Sequence, residues 1–367
     1  MKFTIIFLLL AVLHGICNLD AFCCQKPVTC TTVERCIAIP ARGSIPAANI
    51  FVRQQYVNAN APVLFFVHAT GWDADEWLCE QASFCPCFNT IAIDLRGHGR
   101  STLTPALPAA GGINYTQTVF VDDINAVLSA LGITSLIWVG NSIGGALGIN
   151  YNANFPGVIT KLVLSSTNPF IYNPDPACSM GTFPNCSVAP LPCYQFPGIT
   201  FCLYEFLSTL VTEIPFPEFA AVLATQLFFT EPACTAQLQN AQNSYIAAQI
   251  EQGQAILFSI INNAFTDDQR ALLPGITIPV LICQGTADMA NPVGVGAFLQ
   301  SQIPNSILAL FENKCHFLVA TAFSSFDSLV AKFINGCTLP STITVPDTGC
   351  NICPLITPVP LATCTPT

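Results

Sequence analysis

Ser135-Leu136-Ile137-Trp138-Val139-Gly140-Asn141-Ser142-Ile143-Gly144-Gly145 decides how this chain folds. Residues 135–140 are a charge-free, apolar run, as expected of a strand buried on both faces of a parallel sheet. Gly140, Ser142 and Gly144 then match G-x-S-x-G, and residues 143–154 read as a helix. A serine on such a strained strand-to-helix turn is exposed above the sheet. The flanking glycines let neighbouring backbone pass where a Cβ would clash. The helix N-terminus adds a partial positive field for a developing oxyanion. The motif alone is common by chance; a strand before it and a helix after it make it specific.

The strand signature recurs on both sides. It appears at residues 62–68 (PVLFFVH), 90–94 (TIAID), 161–165 (KLVLS), 279–283 (PVLIC) and 307–311 (ILALF). Shorter strand-like runs occupy 36–40 and 48–57. Residues 118–131 place Phe120, Val121, Ile124, Val127, Leu128 and Leu131 at helical spacing, with Gly132 where a helix ends. Strands alternating with helices predict an α/β fold with a parallel sheet and right-handed crossovers. The alternation lapses over 168–270. Residues 168–198 are rich in Pro and Cys, and 201–265 read as several aromatic helices. The expected organisation is a signal peptide (1–21), a Cys-rich leader (22–44), a core (45–167 and 271–336), an inserted helical cap (168–270) and a Cys-, Pro- and Thr-rich tail (337–367).

Composition excludes some functions and locates the chain. Eleven Lys and Arg against 21 Asp and Glu leave a net charge of −10 and a pI near 4.6, no footprint for a phosphate backbone. Nucleic-acid binding is excluded on that ground. Mean hydropathy is +0.55, yet every long charge-free run is broken by Gly, Asn or Pro, so no integral span is expected. Residues 3–13 behind Met1-Lys2 have the shape of a secretory signal. The chain holds 19 Cys, and losing Cys17 with that signal leaves an even set. Density and signal together predict a secreted, disulfide-bonded protein. The sequons at Asn114 and Asn185 predict glycosylation in a eukaryotic host. The single C-x-x-C, Cys350 to Cys353, has no His pair nearby, so no metal site is expected.

A serine nucleophile needs a base and a group to orient it. Of four His, His14 lies in the signal, and His68 and His98 precede the serine. His316 alone follows Ser142, in a loop after a strand, and is the expected base. Asp288, just past the 279–283 strand, is the expected orienting acid. Its competitors are Asp267 and Asp268 in a polar cap segment, and Glu312, four residues from His316. The oxyanion donors are expected to be the N–H of Ile143 and that of Thr70, with Ala69 second for the latter. Cys283 and Cys315 flank the acid and base loops. They either form a disulfide tether or remain buried thiols. The other cysteines are expected to pair locally: leader with leader or with the Cys79–Cys87 region, cap with cap, and tail with tail.

The residues VHATGWDADEW, IAIDLRGHGRST, LIWVGNSIGG, PVLICQGTAD and His316-Phe317, in that order, resemble the α/β-hydrolase family over roughly 45–335. The resemblance implies an eight-stranded, mostly parallel sheet flanked by helices, a cap inserted after the sixth strand, a Ser–Asp–His triad in that chain order, and no cofactor. Serine at position 142 argues against the epoxide hydrolase and haloalkane dehalogenase branches, which use Asp there. His68-Ala69 departs from the family's usual His-Gly. The expected function is a secreted serine hydrolase acting on small-molecule carboxylic esters or lactones, neutral or lipophilic. C–C bond hydrolases and aminopeptidases of the same fold, and a non-catalytic binding protein, are the alternatives; oligomeric state is left open.

Overall fold

Apolar strands that alternate their side chains between two covered faces set the architecture. The structure, a computed structural model, describes residues 30–104, 115–169, 214–230, 235–264, 267–349 and 351–356. The central strands are β3 (Val63–Val67), β4 (Asn89–Ile93), β6 (Leu136–Asn141), β7 (Ile159–Ser165), β8 (Val280–Gly285) and β9 (Ser306–Phe311). In β3, Leu64 and Phe66 enter one core while Phe65 and Val67 enter the other. That two-sided burial explains why these segments read as continuous apolar runs rather than alternating ones.

The sheet order is β1-β2-β4-β3-β6-β7-β8-β9-β10, with β1 at Thr31–Ile39, β2 at Ala47–Tyr56 and β10 at Thr342–Val345. The short β5 (Thr102–Thr104) pairs β2 off this path. β2 is antiparallel to β1, β4 and β5, and the other neighbours are parallel. Eight strands, β1 to β4 and β6 to β9, form the expected sheet, and β5 and β10 extend it. β1 starts inside the Cys-rich leader and runs longer than the 36–40 segment suggested. Its residues Thr31–Glu34 are exposed, so tertiary pairing with β2 makes them a strand, not hydrophobic pattern.

Helices cover both faces. α1 spans Leu78–Phe84, α2 Gln117–Ala130 and α3 Ile143–Asn154. α2 is capped by Thr116, whose side chain accepts the Val119 N–H, and Gly132 follows it with φ 68°. Between β7 and β8 lie α4 (Phe216–Val222), a π-helical turn (Leu223–Phe228), α5 (Thr235–Gln252) and α6 (Gln254–Asn263). Phe219, Leu238 and Tyr245 of this inserted region share the core of one sheet face. α7 (Gly294–Gln302), the short α8 (Leu318–Thr321) and α9 (Phe323–Ile334) complete the set. Among the described residues, no helix is long and apolar enough to cross a membrane. The expected signal, the sequon residues Asn114 and 185–187, and the Cys-rich start of the expected cap (170–198) lie outside the described residues.

Disulfides join Cys30 to Cys85 and Cys79 to Cys353, and Cys36 and Cys337 each take part in a further disulfide bond. The first fits the expected pairing of the leader with the Cys79–Cys87 region. The second corrects the expectation that tail cysteines pair among themselves: the tail is fastened across 274 residues to α1. That bond also removes Cys353 from any C-x-x-C metal pair. Cys283 is a buried free thiol and Cys315 is buried, so no disulfide tethers the acid loop to the base loop through Cys283.

Candidate active site

The turn after β6 is built by close backbone approach. Ser142 stands at φ 52° and ψ −118°, a left-handed-region conformation that costs a non-glycine residue about 1–3 kcal/mol. A Cβ on Gly140 would meet the Gly144 carbonyl carbon and oxygen at 2.3 Å, and one on Gly144 would meet Val67 O at 2.1 Å. Packing too tight for any side chain therefore offsets the strain. The Ser142 N–H donates to Ser165 O at 2.8 Å, and Trp138 Nε1 donates to Gly144 O at 2.9 Å. These bonds fix the turn from the β7 side and from beneath.

Because β3 neighbours β6 in the sheet, the loop after β3 lies beside this turn. Ala69 N–H is committed to Glu76 Oε2 at 2.8 Å. The N–H groups of Thr70 and Ile143 have no acceptor among the described residues. Ile143 opens α3, where the first N–H groups have no intrahelical partner.

Asp288 and His316 meet beyond β8 and β9. His316 Nδ1 lies 3.0 Å from Asp288 Oδ2 and 3.1 Å from Oδ1, and both side chains are buried. Asp288 Oδ1 also accepts the N–H of Ala290 (2.9 Å) and Asn291 (2.8 Å), and Oδ2 accepts from Gln284 Nε2 at 3.2 Å. Asn291 Nδ2 donates to Ser166 O at 2.6 Å, tying this loop to the end of β7. Phe228, closing the π-helical turn, stacks on the His316 ring with centroids 5.0 Å apart.

The other candidates lie elsewhere. Asp268 is an exposed partner of Arg270, Asp267 accepts the Gln117 N–H, and Glu312 is exposed at the end of β9. His68 and His98 pack ring to ring at 4.9 Å. Burial lowers their pKa values to about 4 and about 3, so both are neutral near pH 7. His68 Nε2 accepts the Leu95 N–H at 2.9 Å, which leaves it a structural role. Among the described residues, no group of three His, Cys, Asp or Glu could hold a metal ion. Sequence reasoning did not find Glu76, Gln284, Asn291 or Phe228. Nothing in the local sequence marks a Gln or Asn whose partner is four to 125 residues distant.

The alpha/beta hydrolase fold model matches residues 62–183. The chain is 25% identical over 283 residues to a bifunctional esterase/perhydrolase of Acinetobacter calcoaceticus, covering 75% of this chain and 92% of that one. It is 26% identical over 260 residues to a 3-oxoadipate enol-lactonase of Acinetobacter baylyi, covering 69% and 82%. Among solved structures it is similar to an enol-lactonase from Burkholderia xenovorans (TM-score 0.65, 18% identity, 82% of this chain and all of that one). An esterase from Exiguobacterium antarcticum superposes with TM-score 0.64 at 20% identity, covering 79% and 96%. At these identities the solved structures speak for the fold alone.

Proposed function

Since the chain is an alpha/beta-hydrolase family protein, we propose that it is a serine hydrolase of carboxylic esters or lactones, with Ser142 as nucleophile. The observation that carries this reading is the buried His316–Asp288 pair beyond β8 and β9, at the same carboxyl end of the parallel strands as the strained Ser142 turn after β6.

In this mechanism Ser142 Oγ attacks the carbonyl carbon and its proton passes to His316 Nε2. Asp288 accepts from Nδ1–H, which selects the tautomer whose Nε2 is free and stabilises the imidazolium. The tetrahedral oxyanion receives the N–H groups of Ile143 and Thr70. Collapse expels the alkoxide, which takes the proton from His316. Water, deprotonated by the same imidazole, then attacks the acyl-enzyme, releasing the acid and restoring Ser142. In a lactone the leaving alkoxide stays attached to the acyl chain.

The wall beside His316 is aromatic. Phe228 stacks on its ring, and Trp72, Phe229, Tyr245 and Phe317 pack against one another behind it. This favours neutral or lipophilic acyl groups over charged ones. The bifunctional esterase and the enol-lactonase among the relatives support the ester and lactone classes. Secretion is part of the proposal, and the disulfides at Cys30–Cys85 and Cys79–Cys353 support it, because such bonds persist in oxidising compartments.

Labelling by a fluorophosphonate, with turnover on p-nitrophenyl esters of rising chain length, tests the reading. Labelling at Ser142 and turnover that Ser142→Ala abolishes are expected. A wild-type protein that neither labels at Ser142 nor turns over any ester would overturn it.

A further inference from the structure

The two oxyanion donors come from different loops, and their spacing has to be set by something beyond the strands. The β3–β6 ladder ends at the pair Val67 and Gly140. Thr70 and Ile143 both lie past that end. Glu76 sits at this gap, fully buried in the 3-10 turn Ala74–Trp77. Its Oε2 accepts the N–H of Ala69, at 2.8 Å, and its Oε1 accepts from Nδ2 of Asn141, at 2.5 Å. Ala69 immediately precedes Thr70, and Asn141 immediately precedes Ser142.

Resting on the serine-hydrolase reading, we propose that Glu76 is a positioning residue: one buried carboxyl clamps the Thr70 loop to the Ser142 turn and sets the width of the oxyanion hole. Packing alone would not select a carboxyl here, since an apolar side chain of that size avoids the desolvation cost. What a carboxyl adds is two acceptors on one rigid plane, each meeting a donor from a different loop. Glu76 also takes the Ala69 N–H out of play, so Thr70 is left as the donor of its loop.

Charge follows from the same geometry. Burial pushes the Glu76 pKa up to about 8, against the two hydrogen bonds that lower it. With both oxygens accepting N–H donors the clamp is that of the ionised carboxyl, so it is complete above about pH 8 and loses one acceptor to the proton below it. The titratable groups around it are pushed toward their neutral forms. Glu80 on α1 and Tyr245 on α5 are pushed up by burial, Asp327 on α9 is raised to about 7, and His68 beyond β3 is neutral. On the outer side of the turn, Arg53 and Arg100 pair with Asp75.

Glu76→Gln tests the clamp. Its carboxamide keeps the shape but offers one acceptor, and its NH2 faces the second donor. The expected result on p-nitrophenyl butyrate at about pH 8.5 is a kcat roughly 10- to 100-fold lower with KM changed less than about twofold. The active-site titre by fluorophosphonate should be unchanged, and the deficit relative to wild type should shrink below about pH 8, where wild-type Glu76 also carries a proton. Asn141→Ala, which breaks the clamp from the other side, should lower kcat similarly, and the double variant should be little worse than either single.

A Glu76→Gln enzyme with near wild-type kcat at that pH, or with a deficit that does not change with pH, overturns the clamp. So does a loss that lies wholly in the titre of active sites. If Glu76→Gln does not fold, Asn141→Ala decides on the same readouts. In all these cases a wild-type enzyme still labelled at Ser142 keeps the serine-hydrolase reading standing. Absence of that labelling in the wild type overturns both.

Discussion

The two halves of the candidate site are held by different means. The nucleophile half, after β3 and β6, is a matter of backbone contact: Gly140 and Gly144 let main chain approach to distances that no Cβ tolerates, and Gly145 leaves room for the Thr167 side chain. The acid–base half, after β8 and β9, is a matter of side chains: Asp288 is fixed by two backbone N–H groups and Gln284, and its loop is moored by Asn291 to Ser166. Close packing gives way all at once when a methyl group is added. A hydrogen-bond network loses one member and keeps the others. The first half should therefore be brittle and the second graded.

The largest effect tests whether the halves work as one unit. Ser142→Ala and His316→Ala are each expected to lower kcat by on the order of 10⁴-fold or more, with the double variant no worse than the more damaged single. Additive losses in steady-state kinetics would mean that the two residues do not share a step. Next comes brittleness. Gly144→Ala puts a Cβ 2.1 Å from Val67 O, and should cost about 3 kcal/mol in urea unfolding together with most activity. A variant that unfolds at the wild-type urea midpoint would show that the turn can relax after all.

The graded half is probed by Asn291→Ala. It removes the bond to Ser166 O but leaves the backbone N–H groups on Asp288, so a kcat loss of about tenfold at unchanged KM is expected. A loss as large as that of His316→Ala would make this half as brittle as the other.

The smallest effect concerns stability against pH, which separates buried carboxyls from buried imidazoles. Burial raises Asp327 from its ordinary 3.8 to about 7, and Glu76 from 4.5 to about 8. The folded state holds protons there that the unfolded chain has released. Their stabilising contribution is complete below about pH 4 and is lost as pH rises through 7 and 8. His68, lowered from 6.5 to about 4, acts oppositely: its contribution is present above 6.5 and lost as pH falls toward 4. Between pH 6.5 and 8.5 the carboxyls alone change, so the melting temperature should fall by a few degrees. Asp327→Asn should flatten that slope. A melting temperature that rises across this interval would contradict the assignment of both carboxyls.

The same contrast governs what could be read in advance. The turn at Ser142 was legible because its requirements are local: an apolar strand, two small residues at fixed offsets and a helix lie within about twenty consecutive positions. The central strands were legible because burial on both faces leaves no polar alternation to confuse. The pair of Asp288 and His316 was reached by position after strands and by the shortage of histidines, which is still an argument from chain order. β1 was cut short because its exposed residues carry no hydrophobic signal until β2 pairs with them. The Cys79–Cys353 bond was not foreseen, since cysteine spacing says nothing of which distant segment returns.

By itself, then, the sequence determined the order of strands and helices, the turn chemistry at residue 142 and a net charge of −10. These depend on side-chain period, backbone sterics and net charge, each a property of neighbouring residues or of the sum over all of them. Only the tertiary structure decided that no disulfide joins Cys283 to Cys315, that Phe228 lies on the His316 ring, and that Glu76 spans Ala69 and Asn141. Each of those depends on a distance between segments far apart in the chain. Such distances follow from how the whole core packs, and no local pattern encodes them.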